Sequence, residues 1–168
     1  MRIKLISAVA AALLLAACSS DDTAKGAGAG TGTSTTGSDS GQVASMAAAP
    51  GSAEDFKQNV GDRVFFATDR YDVSAEAQQQ LQKQAGWLNQ YKAVTVTIEG
   101  HADERGTREY NLALGERRAN SIANYLTALG IDKGRISVIS YGKERPECTD
   151  SNEACWSQNR RGVTSINK

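Results

Sequence analysis

The sequence has no excess of charge of either sign. Its 168 residues include 19 Lys and Arg and 19 Asp and Glu, which gives a net charge of zero. Proteins that bind nucleic acids usually show a basic excess or a basic stripe. The balance therefore argues against a nucleic-acid partner. At this length the chain has room for one ordinary domain, but hardly for two.

A hydrophobic run long enough to span a membrane is also missing. The longest apolar stretch, Leu5 to Ala17, has about 13 residues, whereas a membrane-spanning helix needs roughly 20. Arg2 and Lys4 precede this stretch and small residues end it, which is typical of an export signal. We therefore predict that residues 1–17 are a signal peptide and not a permanent membrane helix.

The end of this signal carries a cysteine. Residues 15–18 read LAAC, which resembles the bacterial lipoprotein signal, in which the cysteine is lipidated and becomes the first residue. The resemblance implies a lipid on Cys18, and Ser19 and Ser20 resemble an outer-membrane address. Each buried methylene of an acyl chain contributes about 0.8 kcal/mol, so several chains on one residue would anchor the protein firmly.

Cysteine and histidine are scarce, with three and one in the whole chain. With Cys18 set aside, Cys148 and Cys155 remain as a pair in an oxidising compartment, where disulfides persist. A disulfide across so short a loop stabilises the fold by about 2.5 kcal/mol in the chain-entropy estimate. Zinc is the alternative, but it needs four ligands, and His101 lies far away in sequence. We favour the disulfide and predict no metal site.

The linker and the folded domain differ sharply in composition. Residues 18–52 are mostly Gly, Ala, Ser and Thr without apolar periodicity, which predicts a flexible tether. In the domain, residues 53–168, the pattern predicts helices after Ser74 and over 107–129. Strands are predicted at 63–68, 94–99, 135–141 and 162–166, with a cysteine-bearing loop between the last two. This alternation indicates an α/β (α+β) domain, a mixed sheet with helices packed on one face.

One charged residue interrupts the apolar face of the long helix. Asn111 and Leu114 share this face with Arg118, whereas Arg117 points about 100° away. A buried guanidinium is costly unless an anion meets it, and Asp103, in the turn before the helix, is the obvious partner. Two interpretations are open. In the first, Asp103 and Arg118 form an ion pair with one another. In the second, both face a cleft and bind one zwitterionic ligand, whose carboxylate contacts Arg118 and whose ammonium contacts Asp103.

The residues around this turn are similar to a known signature. Residues 99–119 (EGHADERGTREYNLALGERRA), 140–146 (SYGKERP) and 157–161 (SQNRR) resemble OmpA-like domains, in particular those of envelope lipoproteins that bind the cell wall. The likeness covers most of residues 60–168. It implies a βαβαβ-type mixed sheet that binds the peptide stem of peptidoglycan noncovalently, without a cofactor.

The resemblance also implies which residues bind. The family holds diaminopimelate, whose side-chain end carries one carboxylate and one ammonium, with an Asp and an Arg that correspond to Asp103 and Arg118. Asn111 and Leu114 occupy further motif positions near the site.

Thr68 and Asp69 correspond to family residues on the opposite wall of the site. Thr68 departs from the family, which usually has Phe there, and this makes the wall less apolar. The resemblance further implies the Tol proteins, especially the periplasmic TolB, as partners, and a lipid-anchored location in the outer membrane with the domain in the periplasm.

Three other functions fit the sequence less well. An enzyme would need a Ser or Cys nucleophile with an oriented base or two facing carboxylates, and neither is apparent around His101 and Asp103. A stator or porin with the same module would need a membrane-spanning part before the domain, which residues 19–52 do not provide. A protein-binding adaptor without wall affinity would have no use for both Asp103 and Arg118.

Overall fold

The computed structural model of the chain describes residues 48–167. The predicted signal peptide (1–17), the lipidation at Cys18 and most of the predicted linker lie outside these residues. In chain order the elements are α1 (Ala53–Asp55), a π-helical turn (Phe56–Val60), β1 (Arg63–Phe65), α2 (Ala75–Gln90), β2 (Val96–His101), α3 (Arg108–Ala128), a 3-10 turn (Lys133–Arg135), β3 (Ile136–Gly142), α4 (Glu153–Asn159) and β4 (Arg161–Ile166).

The four strands form one mixed sheet in the order β1-β4-β2-β3. Strands β2 and β3 are parallel and are joined through α3. The last strand, β4, lies between β1 and β2 and is antiparallel to both. Because α2 and α3 share one hydrophobic core with the sheet, the mixed α/β architecture predicted from the alternating pattern is confirmed.

Strand β2 shows how the alternation positions the core. Val96 and Ile98 are buried, whereas Thr97 between them is only half-buried, as the two faces of a strand require. Residues of α2 and α3 cover the apolar face of the sheet, namely Ala77, Leu81, Leu88, Ala119, Ile122 and Leu126. The core therefore lies between one face of the sheet and the two long helices.

Helix α3 approaches β2 unusually closely through two glycines. A Cβ atom built on Gly100 would lie 1.8 Å from the carbonyl oxygen of Gly115, so only a glycine fits on the strand at this point. This contact sets the depth at which α3 packs. It therefore also sets the position of Arg118, which lies one helical turn further along the helix.

Strand β1 is shorter than predicted. The prediction extended it to Thr68, but it ends at Phe65. The backbone N–H of Phe66 still donates to the carbonyl of Arg160 at 2.9 Å. The carbonyl of Phe66 accepts from the side-chain Nε of Arg160, and that of Ala67 accepts from Arg118, so neither continues the ladder. The strand therefore ends where the chain turns and its backbone carbonyl binds the guanidinium of Arg118.

The predicted cysteine-bearing loop contains a helix, α4, that the sequence did not indicate. Its N-cap is Asn152, whose side chain accepts from the N–H of Cys155. Cys148 and Cys155 are joined by a disulfide, with 5.2 Å between their Cα atoms, so the zinc alternative does not apply. Within the described residues, no group of His, Cys, Asp and Glu could hold a metal ion, and no helix is long and apolar enough to cross a membrane.

Candidate functional site

An open cleft of about 270 Å³ lies where the turn after β2 meets the start of α3 and the loop after β1. It contains all six residues that the sequence singled out as ligand-binding. The sequence did not single out three further lining residues, although two of them lie in the same motif turn. The lining residues are Thr68, Asp69, Asp103, Arg105, Gly106, Tyr110, Asn111, Leu114 and Arg118.

Arg118 forms the floor of the cleft and is fully buried, with a relative exposure of 0%. Its Nε donates to the carbonyl of Arg70 at 2.8 Å, its Nη1 to that of His101 at 2.8 Å, and its Nη2 to that of Ala67 at 3.1 Å. A guanidinium has five N–H groups, so one on each Nη remains beyond these three bonds. Burial lowers the pKa of Arg118 to about 10, and the group remains charged at neutral pH.

Asp103 is not the partner that satisfies Arg118, so the first of the two interpretations is wrong. Its Oδ1 accepts from the backbone N–H and the Nε of Arg105, both at 3.1 Å, and its Oδ2 accepts from the Nη2 of Arg105 at 2.6 Å. Arg160 donates to the same Oδ2 at 3.3 Å. Burial acts to raise the pKa of Asp103, but the bonds from Arg105 outweigh it, and the pKa lies below 3.8.

Helix α4 supports this side of the cleft. The ring of Trp156 stacks on the guanidinium of Arg105, with 4.2 Å between the Arg105 Cζ and the ring centroid. The indole N–H of Trp156 donates to Glu104 at 2.9 Å. Glu153 accepts from the guanidinium of Arg160, which in turn contacts Asp103. The disulfide-linked segment thus positions both arginines that hold the Asp103 carboxylate.

The opposite wall comes from the loop after β1. Asp69 has a φ of 57°, a left-handed conformation that non-glycine residues adopt uncommonly, and its carboxylate accepts from the hydroxyl of Tyr110. The hydroxyl of Thr68 accepts from Arg105 at 3.4 Å. Thr68 therefore contributes a polar contact to this wall.

Asn111 and Leu114 complete the site from α3. The side-chain amide of Asn111 donates to the carbonyl of Arg105 at 2.8 Å and so fixes the turn, and Leu114 adds a buried apolar surface. The cleft thus brings two guanidinium groups and two carboxylates together around one small volume. Such a mixture of charges suits a ligand that carries both signs better than a simple anion.

His101 lies beside the cleft and not in it. Its ring is 2% exposed, and neither ring nitrogen has a hydrogen-bond partner within 3.5 Å in the described part of the chain. The Nε2 atom lies 3.6 Å from a carboxylate oxygen of Glu99. Burial, followed by the positive charge of Arg161, lowers the pKa of His101 to about 4. The imidazole is therefore neutral at pH 7, and only its backbone carbonyl contributes to the site.

This buried histidine predicts a loss of stability in mild acid. The unfolded chain takes up a proton near pH 6.5, whereas folded His101 does so only near pH 4. Neutral His101 therefore contributes fully to the free energy of unfolding above about pH 6.5. This contribution is lost as the pH falls toward 4, and the total loss is about 3 kcal/mol. Urea unfolding of the protein and of His101→Gln between pH 7.5 and 4.5 measures it. The substituted protein should show a shallower dependence, and equal slopes would contradict the assignment.

Known proteins resemble this chain in sequence. Residues 65–160 match the model of the OmpA family. The peptidoglycan-associated lipoprotein of Mesorhizobium japonicum is 49% identical over 159 residues, which are 95% of this chain and 89% of that protein. The peptidoglycan-associated lipoprotein of Brucella melitensis is 56% identical over 121 residues, which are 72% of each chain.

Solved structures show the same fold. The crystal structure of the peptidoglycan-associated lipoprotein from Burkholderia pseudomallei matches with a TM-score of 0.62 at 39% identity, covering 63% of this chain and 90% of that one. The C-terminal domain of Helicobacter pylori MotB shares the fold alone. It matches with a TM-score of 0.59 at 18% identity, covering 64% of this chain and 84% of that one. By sequence along nearly its whole length and by fold, the chain belongs to the OmpA family, among the peptidoglycan-associated lipoproteins.

Proposed function

We propose that the chain binds the diaminopimelate-containing peptide stem of peptidoglycan noncovalently in this cleft, and so tethers the outer membrane to the cell wall. The proposal rests on the burial, the charge and the unused N–H groups of Arg118. Its guanidinium is buried and charged, and it retains two N–H groups beyond its three bonds to backbone carbonyls. A planar carboxylate matches such a fork. The names of the relatives support association with peptidoglycan.

The ammonium group of the same diaminopimelate binds Asp103. A carboxylate offers about four acceptor positions, and Arg105 and Arg160 use four in the unliganded protein. The ammonium of the ligand therefore replaces the half-exposed side chain of Arg105, which moves aside along Trp156. One cation is exchanged for another, so the buried carboxylate is never left without a positive partner.

The proposed setting is the outer membrane, with a lipid on Cys18 and the domain in the periplasm. Peptidoglycan, TolB and other components of the Tol-Pal system are the proposed partners, in support of envelope integrity and cell division. Members of this family are structural proteins, so the chain is not an enzyme. Binding must then be reversible, since no bond in the wall is made or broken.

Sedimentation with purified diaminopimelate-type sacculi tests the proposal. The full chain in detergent should pellet with the wall, whereas Asp103→Asn should lose at least about tenfold in affinity, because a hydrogen bond to a charged group contributes about 1.5–3 kcal/mol. Glu116→Gln, which removes one negative charge from an exposed position of α3, is the matched control and should pellet normally.

Three outcomes separate the possibilities, with circular dichroism to verify that each protein is folded. If Asp103→Asn and the control pellet equally well, the binding site lies elsewhere on the domain. If even the unmodified chain stays in solution, the adaptor interpretation gains support, and TolB is the partner to test next. Release of soluble wall fragments during the incubation would contradict the assignment as a non-enzyme.

A further inference from the structure

Two exposed tyrosines flank an arginine just outside the cleft. Tyr71, after the β1 loop, is 48% exposed, and Tyr110, in the first turn of α3, is 45% exposed. The guanidinium of Arg117 lies between their rings, 5.6 Å from the centroid of Tyr71 and 6.0 Å from that of Tyr110. Large apolar groups on a surface are informative when they cluster. We refer to Tyr71, Arg117 and Tyr110 as the aromatic strip.

The aromatic strip is continuous with the cleft. Tyr110 lines the cleft and its hydroxyl is fixed by Asp69. Arg117 is the sequence neighbour of Arg118, but its direction on the helix differs by about 100°, and its side chain is exposed. A ligand that ends in the cleft and continues beyond its mouth can pass over Tyr110 and reach Arg117.

Arg117 has no anionic partner among residues 48–167. The ion pairs within 4.0 Å in the described part include other surface arginines, such as Arg70 with Asp72 and Arg108 with Glu144, but none involves Arg117. Its side chain also donates no hydrogen bond there. Two ring faces restrain the guanidinium, while its N–H groups remain available. A restrained guanidinium with unused donors is suited to a carboxylate from outside.

We infer that the aromatic strip is a second subsite, which binds the free carboxylate and the adjoining amide plane of the stem residue next to the one held in the cleft. The inference rests on the proposed function. In a peptidoglycan stem, diaminopimelate is linked to glutamate through the glutamate side chain, so the α-carboxylate of that glutamate is free. Arg117 binds this carboxylate, and the tyrosine rings pack against the amide that joins the two residues.

Matched ligands isolate this subsite. The probes are free meso-diaminopimelate, the tripeptide L-alanyl-γ-D-glutamyl-meso-diaminopimelate, and the same tripeptide with the glutamyl α-carboxylate converted to an amide. By titration calorimetry on the full chain in detergent, the acidic tripeptide should bind about three- to tenfold more tightly than its amide. Arg117→Gln should abolish this preference and leave the affinity for free diaminopimelate unchanged.

Arg108→Gln is the control variant, since it removes the same charge from an exposed arginine of the same helix. It should preserve the preference for the acidic tripeptide. Equal affinity of the unmodified chain for the two tripeptides would overturn the second subsite and leave the proposed function standing. An equal loss of this preference in both variants would also overturn the second subsite, because long-range electrostatics alone would then explain the preference. If no probe binds the unmodified chain, the proposed function itself fails.

Discussion

Replacing Arg118 by methionine is expected to abolish wall binding and to lower the free energy of unfolding by about 3 kcal/mol, through the hydrogen bonds that it removes. The substitution keeps much of the side-chain volume but removes all three hydrogen bonds of the guanidinium. The carbonyl of His101 then loses its donor in a buried position, and those of Ala67 and Arg70 lose theirs in partly buried positions. An unsatisfied buried polar group costs about 1–3 kcal/mol. The same residue therefore serves folding and binding.

Urea unfolding and sacculus sedimentation measure the two effects separately. Arg117→Met is the matched control for stability, because an exposed side chain usually contributes within about 0.5 kcal/mol. Arg118→Lys adds a finer test, since an ammonium keeps the charge but lacks the planar fork and should recover part of the stability without full binding. A stable Arg118→Met protein would show that the three carbonyl bonds contribute little, and that Arg118 is a ligand group alone.

Gly100→Ala is expected to destabilise the domain by about 3 kcal/mol or more. The new methyl group would lie 1.8 Å from the backbone oxygen of Gly115, and backbone, unlike a flexible side chain, cannot rotate out of the way. Helix α3 must therefore move away from β2. This movement also draws Arg118 away from the carbonyls that hold it, so wall binding should weaken together with stability.

Gly86→Ala provides the comparison for that change. Gly86 lies on the exposed side of α2, and no atom lies within 4 Å of an added Cβ. Alanine is favoured over glycine in a helix by about 1 kcal/mol, so the midpoint of urea unfolding should rise for Gly86→Ala and fall for Gly100→Ala. An unchanged midpoint for Gly100→Ala would mean that α3 packs less closely on the sheet than described.

The periodic spacing of apolar residues predicted the strands and helices that bury one side. The alternation around Val96 and Ile98 indicated β2, and the apolar spacing that includes Leu114 and Ile122 indicated α3, because burial on one side imposes a period on the sequence. The same spacing identified Arg118 as an exception in a buried position. The motif turn carries Asp103, and α3 carries Asn111, to the cleft that Arg118 also lines.

The partners of the charged residues could not be predicted in this way. Arg118 binds backbone carbonyls, which every residue carries, so no side chain in the sequence marks them. Asp103 is held by Arg105 and Arg160, and the second of these lies 57 positions away. Helix α4 has only seven residues, too few for a helical period to stand out, and its support of Arg105 through Trp156 depends on tertiary packing.

The position of β1 determines how mechanical force passes through the domain. In the proposed setting, tension from the membrane enters the domain ahead of α1, and tension from the wall enters at Arg118. The shortest connection runs along β1 to the loop whose Ala67 and Arg70 carbonyls hold the guanidinium. Strand β3 and the disulfide-linked α4 lie outside this route. We therefore expect the short segment at the sheet edge to carry the load, and the loop that forms one wall of the cleft to respond first when the envelope is stretched.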